Sequence, residues 1–406
     1  MINKLSKIDE LISSLCSRGV EIKTLGEVAK YSKQRIDAIE LNSNNYVGVD
    51  NLLQNKQGKK ASNYVPTTGK LTRFEQGNIL LGNIRPYLKK VWLADKTGGA
   101  SGDVLAIQIN DTKKLTSEFL YYLLSSDNFF NYDMKFSKGA KMPRGDKASI
   151  LKYLIPLPPL KIQDEIVKIL NNFTELEAEL EAELEARKKQ YDHYHTELLT
   201  FHSNDVKYVE LGDCCNLVRG PFGGSLKKSI FVSDGYKVYE QSDAIYGNHS
   251  KTRYFITEEK YTEMKRFAVD DGDLIMSCSG TFGKVSKISS TSPKGIINQA
   301  LLKITPHKNL SSGFLKYFLS SKYMMNVFLQ NIQGGAIKNM VSVAQLKKIL
   351  IPIPTLVKQE HVVTILNKFD ALVNDISIGL PAELSARRSQ YEYYRSKLLS
   401  FKEYAN

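Results

Sequence analysis

Between positions 162 and 201 the apolar residues fall at Ile166, Ile169, Phe173, Leu176, Leu180, Leu184, Tyr191, Tyr194, Leu198 and Phe201. Steps of three and four dominate, which predicts a long helix with a coiled-coil seam; the four-step from Leu180 to Leu184 reads as a stutter. A helix of about 40 residues rises about 60 Å and cannot stand unsupported in water, so it needs a partner. A second run supplies one, with Val362, Ile365, Phe369, Leu372, Ile376, Leu380, Leu384, Tyr391, Tyr394, Leu398 and Phe401. Gly379 and Pro381 interrupt that run and predict a break near 378–381. Tyr191, Tyr194, Tyr391, Tyr393 and Tyr394 fall at seam spacing and read as packing residues rather than as platforms for bases.

Elsewhere the pattern is shorter. Apolar runs at 79–84, 104–109, 274–277 and 300–304, bounded by Gly or polar residues, read as strands, and 118–124 and 314–319 read as helices. Pro156, Pro158, Pro159, Pro352 and Pro354 precede the long helices; they read as rigid joints at helix entrances and not as continuations of a strand.

The two long runs are copies of one another. Ile155-Pro-Leu-Pro-Pro-Leu160 returns as Ile351-Pro-Ile-Pro-Thr-Leu356, and 11 of the 22 positions from 155 to 176 are identical at an offset of 196. Gln163/Gln359, Asn171/Asn367 and Phe173/Phe369 belong to that set. Ala182-Glu-Leu-Glu-Ala-Arg187 and Gln190-Tyr191 pair with Ala382-Glu-Leu-Ser-Ala-Arg387 and Gln390-Tyr391. The segments before each run share landmarks but little else: Leu25-Gly26-Glu27 with Leu211-Gly212-Asp213, Gly77-Asn-Ile-Leu80 with Gly272-Asp-Leu-Ile275, Phe119-Leu120 with Phe314-Leu315, and Gly139-Ala140 with Gly335-Ala336. Leu5, Ile12 and Leu15 fall on Tyr191, Leu198 and Phe201, so the first residues look like the tail of a helical run set at the start. The order is helix tail, variable unit, helical run, variable unit, helical run, a pattern able to close with approximate twofold symmetry.

Charge sharpens this organisation. The chain of 406 residues carries a formal net charge of +13. Residues 21–154 hold 21 Lys+Arg against 13 Asp+Glu and residues 205–350 hold 20 against 12, so each variable unit carries +8, whereas 162–201 carries −6. Two matched basic blocks flanking an acidic helix favour a polyanionic partner. The start has no apolar run long enough for a signal peptide or a membrane span, so a cytoplasmic protein without a membrane partner is expected. Cys16, Cys214, Cys215 and Cys278 lack zinc-ligand spacing and read as free thiols.

Motifs for chemistry are missing. The chain has no phosphate loop, no His-Glu-x-x-His metal motif, no nucleotide-binding G-x-G-x-x-G and no Asn/Asp-Pro-Pro-aromatic tetrapeptide. Gly220-Pro-Phe-Gly-Gly224 reads as a turn, and His193 and His195 lie two apart on different helix faces, poor for joint ligation. A binding protein is favoured over an enzyme.

Two Ile-Pro-x-Pro helical runs ending in Gln-Tyr-x-x-Tyr and Leu-Leu-x-Phe, each after a basic variable unit, resemble the specificity subunit of type I restriction-modification systems. Gly272-Asp-Leu-Ile-Met-Ser-Cys-Ser-Gly-Thr-Phe-Gly-Lys284 is a further similar stretch, from which Gly77-Asn-Ile-Leu-Leu-Gly-Asn-Ile-Arg85 departs. The resemblance implies an α/β fold: two mixed α/β target-recognition domains in pseudo-twofold arrangement, separated by two long antiparallel coiled-coil repeats. The expected divisions are a helix tail at 1–20, recognition domains at 21–154 and 205–350, and helical repeats at 155–204 and 351–406. It also implies double-stranded DNA, two methyltransferase subunits and restriction subunits as partners, with S-adenosylmethionine, ATP and Mg used by those partners and no cofactor or metal in this chain. Candidate DNA contacts are Arg73, Arg85, Lys89, Lys90, Lys141, Arg144 and Lys147 in the first unit, and Arg219, Lys227, Lys228, Lys251, Arg253, Lys284, Lys338 and Asn339 in the second. Loops 138–147 and 334–339 stand out because they match between copies. A self-sufficient DNA methyltransferase or nuclease with diverged motifs, and a coiled-coil adaptor without a nucleic-acid role, stay open as alternatives at this point.

Overall fold

The computed structural model describes residues 10–202, 206–279, 281–330, 342–375 and 377–404. The chain divides into two compact units, one of residues 1–180 with 384–406, the other of residues 181–383. Each unit therefore takes a variable segment, the first part of the helical run that follows it, and the closing part of the other run.

In the first unit the strands are β1 (Glu21–Thr24), β2 (Ala29–Tyr31), β3 (Arg35–Asp37), β4 (Tyr46–Val47), β5 (Lys70–Phe74), β6 (Ile79–Gly82), β7 (Val91–Leu93), β8 (Gly98–Ala100), β9 (Val104–Ile109) and β10 (Leu154–Leu157). Its helices are α1 (Leu25–Val28), α2 (Ser117–Leu124), α3 (Asp127–Phe136) and α4 (Lys147–Ile150), followed by the 39-residue α5 (Leu160–Leu198). An inner antiparallel sheet runs β2-β9-β6-β7 and an outer mixed sheet runs β3-β5-β8-β4. The period of two explains the layering: Ile79 and Leu81 face the helices with Phe119, Ile166 and Leu170, while Leu80 faces the outer sheet with Val47, Phe74 and Trp92. Both faces of β6 are covered, hence its unbroken apolar run.

The second unit repeats the plan. Its strands are β11 (Lys207–Glu210), β12 (Cys215–Arg219), β13 (Tyr236–Tyr239), β14 (Phe255–Ile256), β15 (Ala268–Val269), β16 (Leu274–Ser277), β17 (Val285–Lys287), β18 (Gly295–Ile297), β19 (Leu301–Pro306) and β20 (Leu350–Ile353). The helices are α6 (Leu211–Cys214), α7 (Gln241–Tyr246), α8 (Glu258–Glu263), α9 (Ser312–Leu319), α10 (Lys322–Gln330) and α11 (Val343–Lys347), then α12 (Leu356–Asn374) and α13 (Leu380–Leu398). Inner β12-β19-β16-β17 and outer β14-β13-β18-β15 sheets form. Leu274 and Met276 meet Phe314, Val362 and Leu366, whereas Ile275 meets Tyr239 and Ile297.

The shared landmarks are structural joints. Gly77 and Gly272 take left-handed φ of 83° and 89° before their inner strands, a conformation that favours glycine. The next residues, Asn78 and Asp273, accept hydrogen bonds from the backbone amides of Glu75 (3.0 Å) and Asp270 (2.8 Å). Ser126 and Ser321 cap α3 and α10, each accepting from a backbone amide at 3.2 Å, Phe129 in one unit and Met324 in the other.

The helical seams match as well. In the first unit Phe173 stacks on Tyr394 (5.7 Å) and lies 5.9 Å from Tyr391, and Glu177 pairs with Arg388 at 2.6 Å, so α13 runs antiparallel to the start of α5. In the second, Phe369 stacks on Tyr194 (5.4 Å) beside Tyr191 (6.3 Å). Buried Gln163 donates to the carbonyls of Lys114 and Pro158 and accepts from the Thr116 amide; buried Gln359 does the same with Asn309, Pro354 and Ser311. Tyr122 donates to Asn171, and Tyr317 to Asn367.

Three expectations are corrected. Pro156 and Pro352 lie within strands: β10 pairs antiparallel with β1, Ile22 opposite Pro156, and β20 with β11, Tyr208 opposite Pro352. Each ladder has only two strands, so an imino acid can sit on an open side, and only Pro158, Pro159 and Pro354 stand at helix entrances. Leu15 is 49% exposed, so of the helical tail it is Ile12, with Leu11, Cys16 and Val20, that joins the core. Tyr393 is 65% exposed and leaves the seam to Tyr391 and Tyr394. The break in the second run falls between Asn374 and Leu380, with Pro381 in the first turn of α13, where its missing amide costs nothing.

Candidate nucleic-acid interface

In the first unit, the loop 138–147 closes on the end of β6. Arg144 bridges through its backbone to Lys138 and Ile84, the Arg85 amide donates to the Pro143 carbonyl (2.7 Å), and the Gly145 amide donates to Asn83 (3.1 Å). A Cβ at Gly145 would lie 2.4 Å from Asp133 Oδ1 and 2.8 Å from Asn83 Oδ1, so any larger residue there has to displace those two side chains. Arg85 is thereby brought beside the loop that carries Lys141, Arg144 and Lys147, all three exposed. Arg144 Nε lies 3.2 Å from Asp103, and the Tyr31 hydroxyl donates to the Lys147 carbonyl at 2.9 Å.

Arg85 and Lys89 bracket a short 3-10 turn, Pro86–Leu88, with left-handed φ of 54° and 50°, and the neighbouring Asn55 and Lys56 have 54° and 66°. Such values are uncommon for residues with a Cβ and cluster where surrounding bonds over-determine the backbone. Here the Lys56 amide donates to the Lys89 carbonyl, and both ammonium groups converge on Asp127, at 3.3 and 2.9 Å. Lys56 also reaches Glu392 (3.2 Å), which bonds Arg395. Burial pushes the Asp127 carboxyl up, but Lys89 and Lys56 outweigh it and hold it below its usual range.

The candidates of this unit therefore separate. Lys89 turns into the ion cluster. Arg73 lies in the outer sheet, its Nε 2.7 Å from Glu75, which also accepts from Thr97. Lys90 is 8% exposed and its ammonium donates to the Val49 carbonyl at 2.6 Å, so it is withdrawn as a surface contact. Nothing in the Lys89-Lys90 pair of the sequence distinguishes the two.

In the second unit, Lys251 and Arg253 are exposed on one loop, the Arg253 guanidinium 4.9 Å from the Tyr254 ring centre. They line a cleft of about 470 Å³ whose other walls carry Glu240, Gln241 and Asn298. Arg219 ends β12, and the adjoining Gly220 abuts this wall so closely that a Cβ would sit 1.8 Å from the Asn298 carbonyl oxygen. The segment after Gly220 holds a 3-10 turn at Gly223–Ser225 and no long helix, unlike a nucleotide loop. Lys227, Lys228 and Lys284 are exposed, and the Lys284 amide donates to Ser277 Oγ at 3.0 Å. Lys338 and Asn339, with the loop 334–339, lie outside the described residues. Glu240, Gln241 and Asn298 escaped the sequence reading, although the polar Asn298-Gln299 pair between two apolar runs was a usable signal.

Among the described residues no three His, Cys, Asp or Glu side chains converge to hold a metal, and no helix is long and apolar enough to cross a membrane. His195 is buried against Tyr317 while His193 faces Glu197.

A three-layer module built twice on the same helical joints, with diverged basic loops on each copy, defines a two-module binding scaffold. The chain belongs to the family described as the type I restriction modification DNA specificity domain, which it matches over residues 17–186 and 203–386. It is thus a specificity subunit, the non-catalytic member that determines DNA target recognition within a restriction-modification complex; the family's cofactors are used by the methyltransferase and restriction subunits. It is 30% identical over 298 residues to the EcoR124I/EcoR124II specificity subunit of Escherichia coli, covering 72% of each chain. Two solved structures share the fold. One describes complex assembly and conformational transition of the type I R-M system (19% identity, TM-score 0.65, 94% of this chain and 97% of that one). The other is the S subunit from M. genitalium (16% identity, TM-score 0.54, 93% and 96%).

Proposed function

We propose that residues 21–154 and 205–350 each read one half of an interrupted DNA target, with the helical repeats 155–204 and 351–406 setting the gap between the halves. The protein acts in the cytoplasm, where two methyltransferase subunits dock on it to modify adenines and restriction subunits join to translocate and cut. The observation that carries this reading is the duplication itself: helix-facing bonds repeat pair by pair, while the exposed cations do not, Lys141, Arg144 and Lys147 falling on Ile337, Met340 and Val343 in the second copy of the sequence. Phosphate contacts from these cations supply affinity, and a few base-edge contacts supply the choice of sequence.

The helix α5 holds the adjustable element. Leu176-Glu-Ala-Glu, Leu180-Glu-Ala-Glu and Leu184-Glu-Ala-Arg form a tandem four-residue repeat inside one unbroken helix. Each repeat adds about 6 Å of helix, against about 3.4 Å per base pair. Deleting residues 180–183 shortens the unread gap by about one or two base pairs and leaves both half-sites as they were. Mapping of modified adenines in cells carrying the shortened subunit tests this; a gap of unchanged length refutes the spacer role.

A further inference from the structure

We infer that Lys237, a buried lysine in the second unit, is a positioning residue that sets the shape of the Glu240–Arg253 cleft and so the second half-site's specificity. The inference rests on the reading of this unit as DNA-contacting. Lys237 sits in β13 and is 1% exposed. Its ammonium has three donors, and each is used: Asp243 Oδ1, the His249 carbonyl and the Lys251 carbonyl all lie at 2.7 Å. The Tyr239 ring lies 4.6 Å away on one side.

These partners are the roots of the cleft's two walls. Asp243 is in the first turn of α7, and its other oxygen accepts from the Glu240 amide at 2.7 Å, fixing the turn that presents Glu240 and Gln241. Lys251 lines the cleft with Thr252 and Arg253, and His249 lies two residues before it. The His249 ring is pinned between Ser292 Oγ and Ser286 Oγ, each at 3.0 Å, and Ser286 donates to the Asp243 carbonyl. One buried cation thus ties both walls together.

A buried charge is costly unless it is fully bonded, and an apolar pair of similar volume packs at least as well. Stability alone does not call for a lysine here; holding two loop carbonyls at fixed distance from a helix start does. The cleft so shaped carries a carboxylate, two amides, an ammonium and a guanidinium, the groups that match cytosine, adenine and guanine edges.

The test uses the full chain in its methyltransferase complex, with methylation of a randomised target library and hydrogen exchange at 248–253 as readouts. Lys237→Met/Asp243→Leu removes the pair without stranding a charge. It is expected to speed exchange at 248–253, to lower discrimination at the second half-site about tenfold, and to leave the first half-site unchanged. Lys237→Arg keeps a cation against Asp243 but cannot reproduce the ammonium's bonds to the His249 and Lys251 carbonyls, so it reads the positioning role where the double variant does not fold, and is expected to lower discrimination about threefold. Unchanged discrimination in both variants, or equal loss at both half-sites, overturns the positioning role. Arg253→Ala separates the two readings: if it too leaves the second half-site unaltered, the cleft does not meet DNA; if it relaxes that half-site while the two Lys237 variants do not, the positioning role alone fails.

Discussion

At one position beneath the loops the two units bury side chains of opposite kind. At the offset that aligns Phe119 with Phe314, Asp133 falls on Phe328; both are 1% exposed. Phe328 meets Phe282 edge to face at 5.2 Å inside the apolar core. Asp133 has no hydrogen-bond partner on either oxygen, and Asn83 Oδ1 beside the same glycine also lacks one. The layer between the two sheets differs likewise: in the first unit Val47 and Phe74 of the outer sheet meet Leu80 and Trp92 of the inner, with the Lys90 ammonium bonded to Val49, while the outer sheet of the second carries buried Lys237. Positions facing the helices are held constant because each must dock on the same repeat. Positions beneath the loops are free to diverge because each shapes a different surface.

The seams are where the two copies look most alike, yet they are not equally buried. Phe173 is 4% exposed, whereas Phe369 is only half-buried. Phe173→Ala is expected to cost the first unit about 3–4 kcal/mol and Phe369→Ala the second about 2 kcal/mol. Denaturation of the full chain followed by hydrogen exchange in each unit measures both losses; equal losses would show that the seams are energetically interchangeable.

The next effect isolates Asp133. Burial without a hydrogen bond pushes its carboxyl up to about 6 in the folded chain. The unfolded chain gives up this proton at lower pH, so the stability present in acid is lost as pH rises through about 6. Asp133→Asn removes the buried charge, and above that pH the variant is expected to be more stable than the parent by up to about 3 kcal/mol, the two converging near pH 4. Thermal unfolding from pH 4 to 8 reads the difference; parallel pH profiles would show that Asp133 ionises in contact with water.

Periodicity made the helical repeats, the inner strands and the duplication legible, because a seam and a doubly covered strand impose apolar residues at fixed spacing. Gln163 and Gln359 stood out as identical, yet their three bonds each to loop backbone became visible only once the fold placed residues 114–116 and 309–311 beside them. Pro156 and Pro352 misled because a two-stranded ladder tolerates an imino acid that a wider sheet rejects. Basic residues were the least legible. Lys89, Lys90 and Lys237 look alike in the chain, but one closes an ion cluster, one holds a loop carbonyl and one joins two walls of a cleft. Which of these a lysine does depends on acceptors distant in sequence.

The smallest effect concerns a cation that does face outward. Arg144 is held by backbone bridges on both sides, and its side chain is about half exposed, so its ion pair with Asp103 contributes little to folding. Arg144→Ala is therefore expected to change unfolding by less than about 0.5 kcal/mol while weakening DNA binding by about 1 kcal/mol. That loss should appear only for targets carrying the first half-site, because in the second copy of the sequence the position of Arg144 is taken by Met340. Competition binding of the assembled complex, with each half-site scrambled in turn, gives the answer. Undiminished affinity with intact discrimination removes Arg144 from the contact surface; an equal loss on every sequence makes it a phosphate contact, with a correspondingly shallower salt dependence.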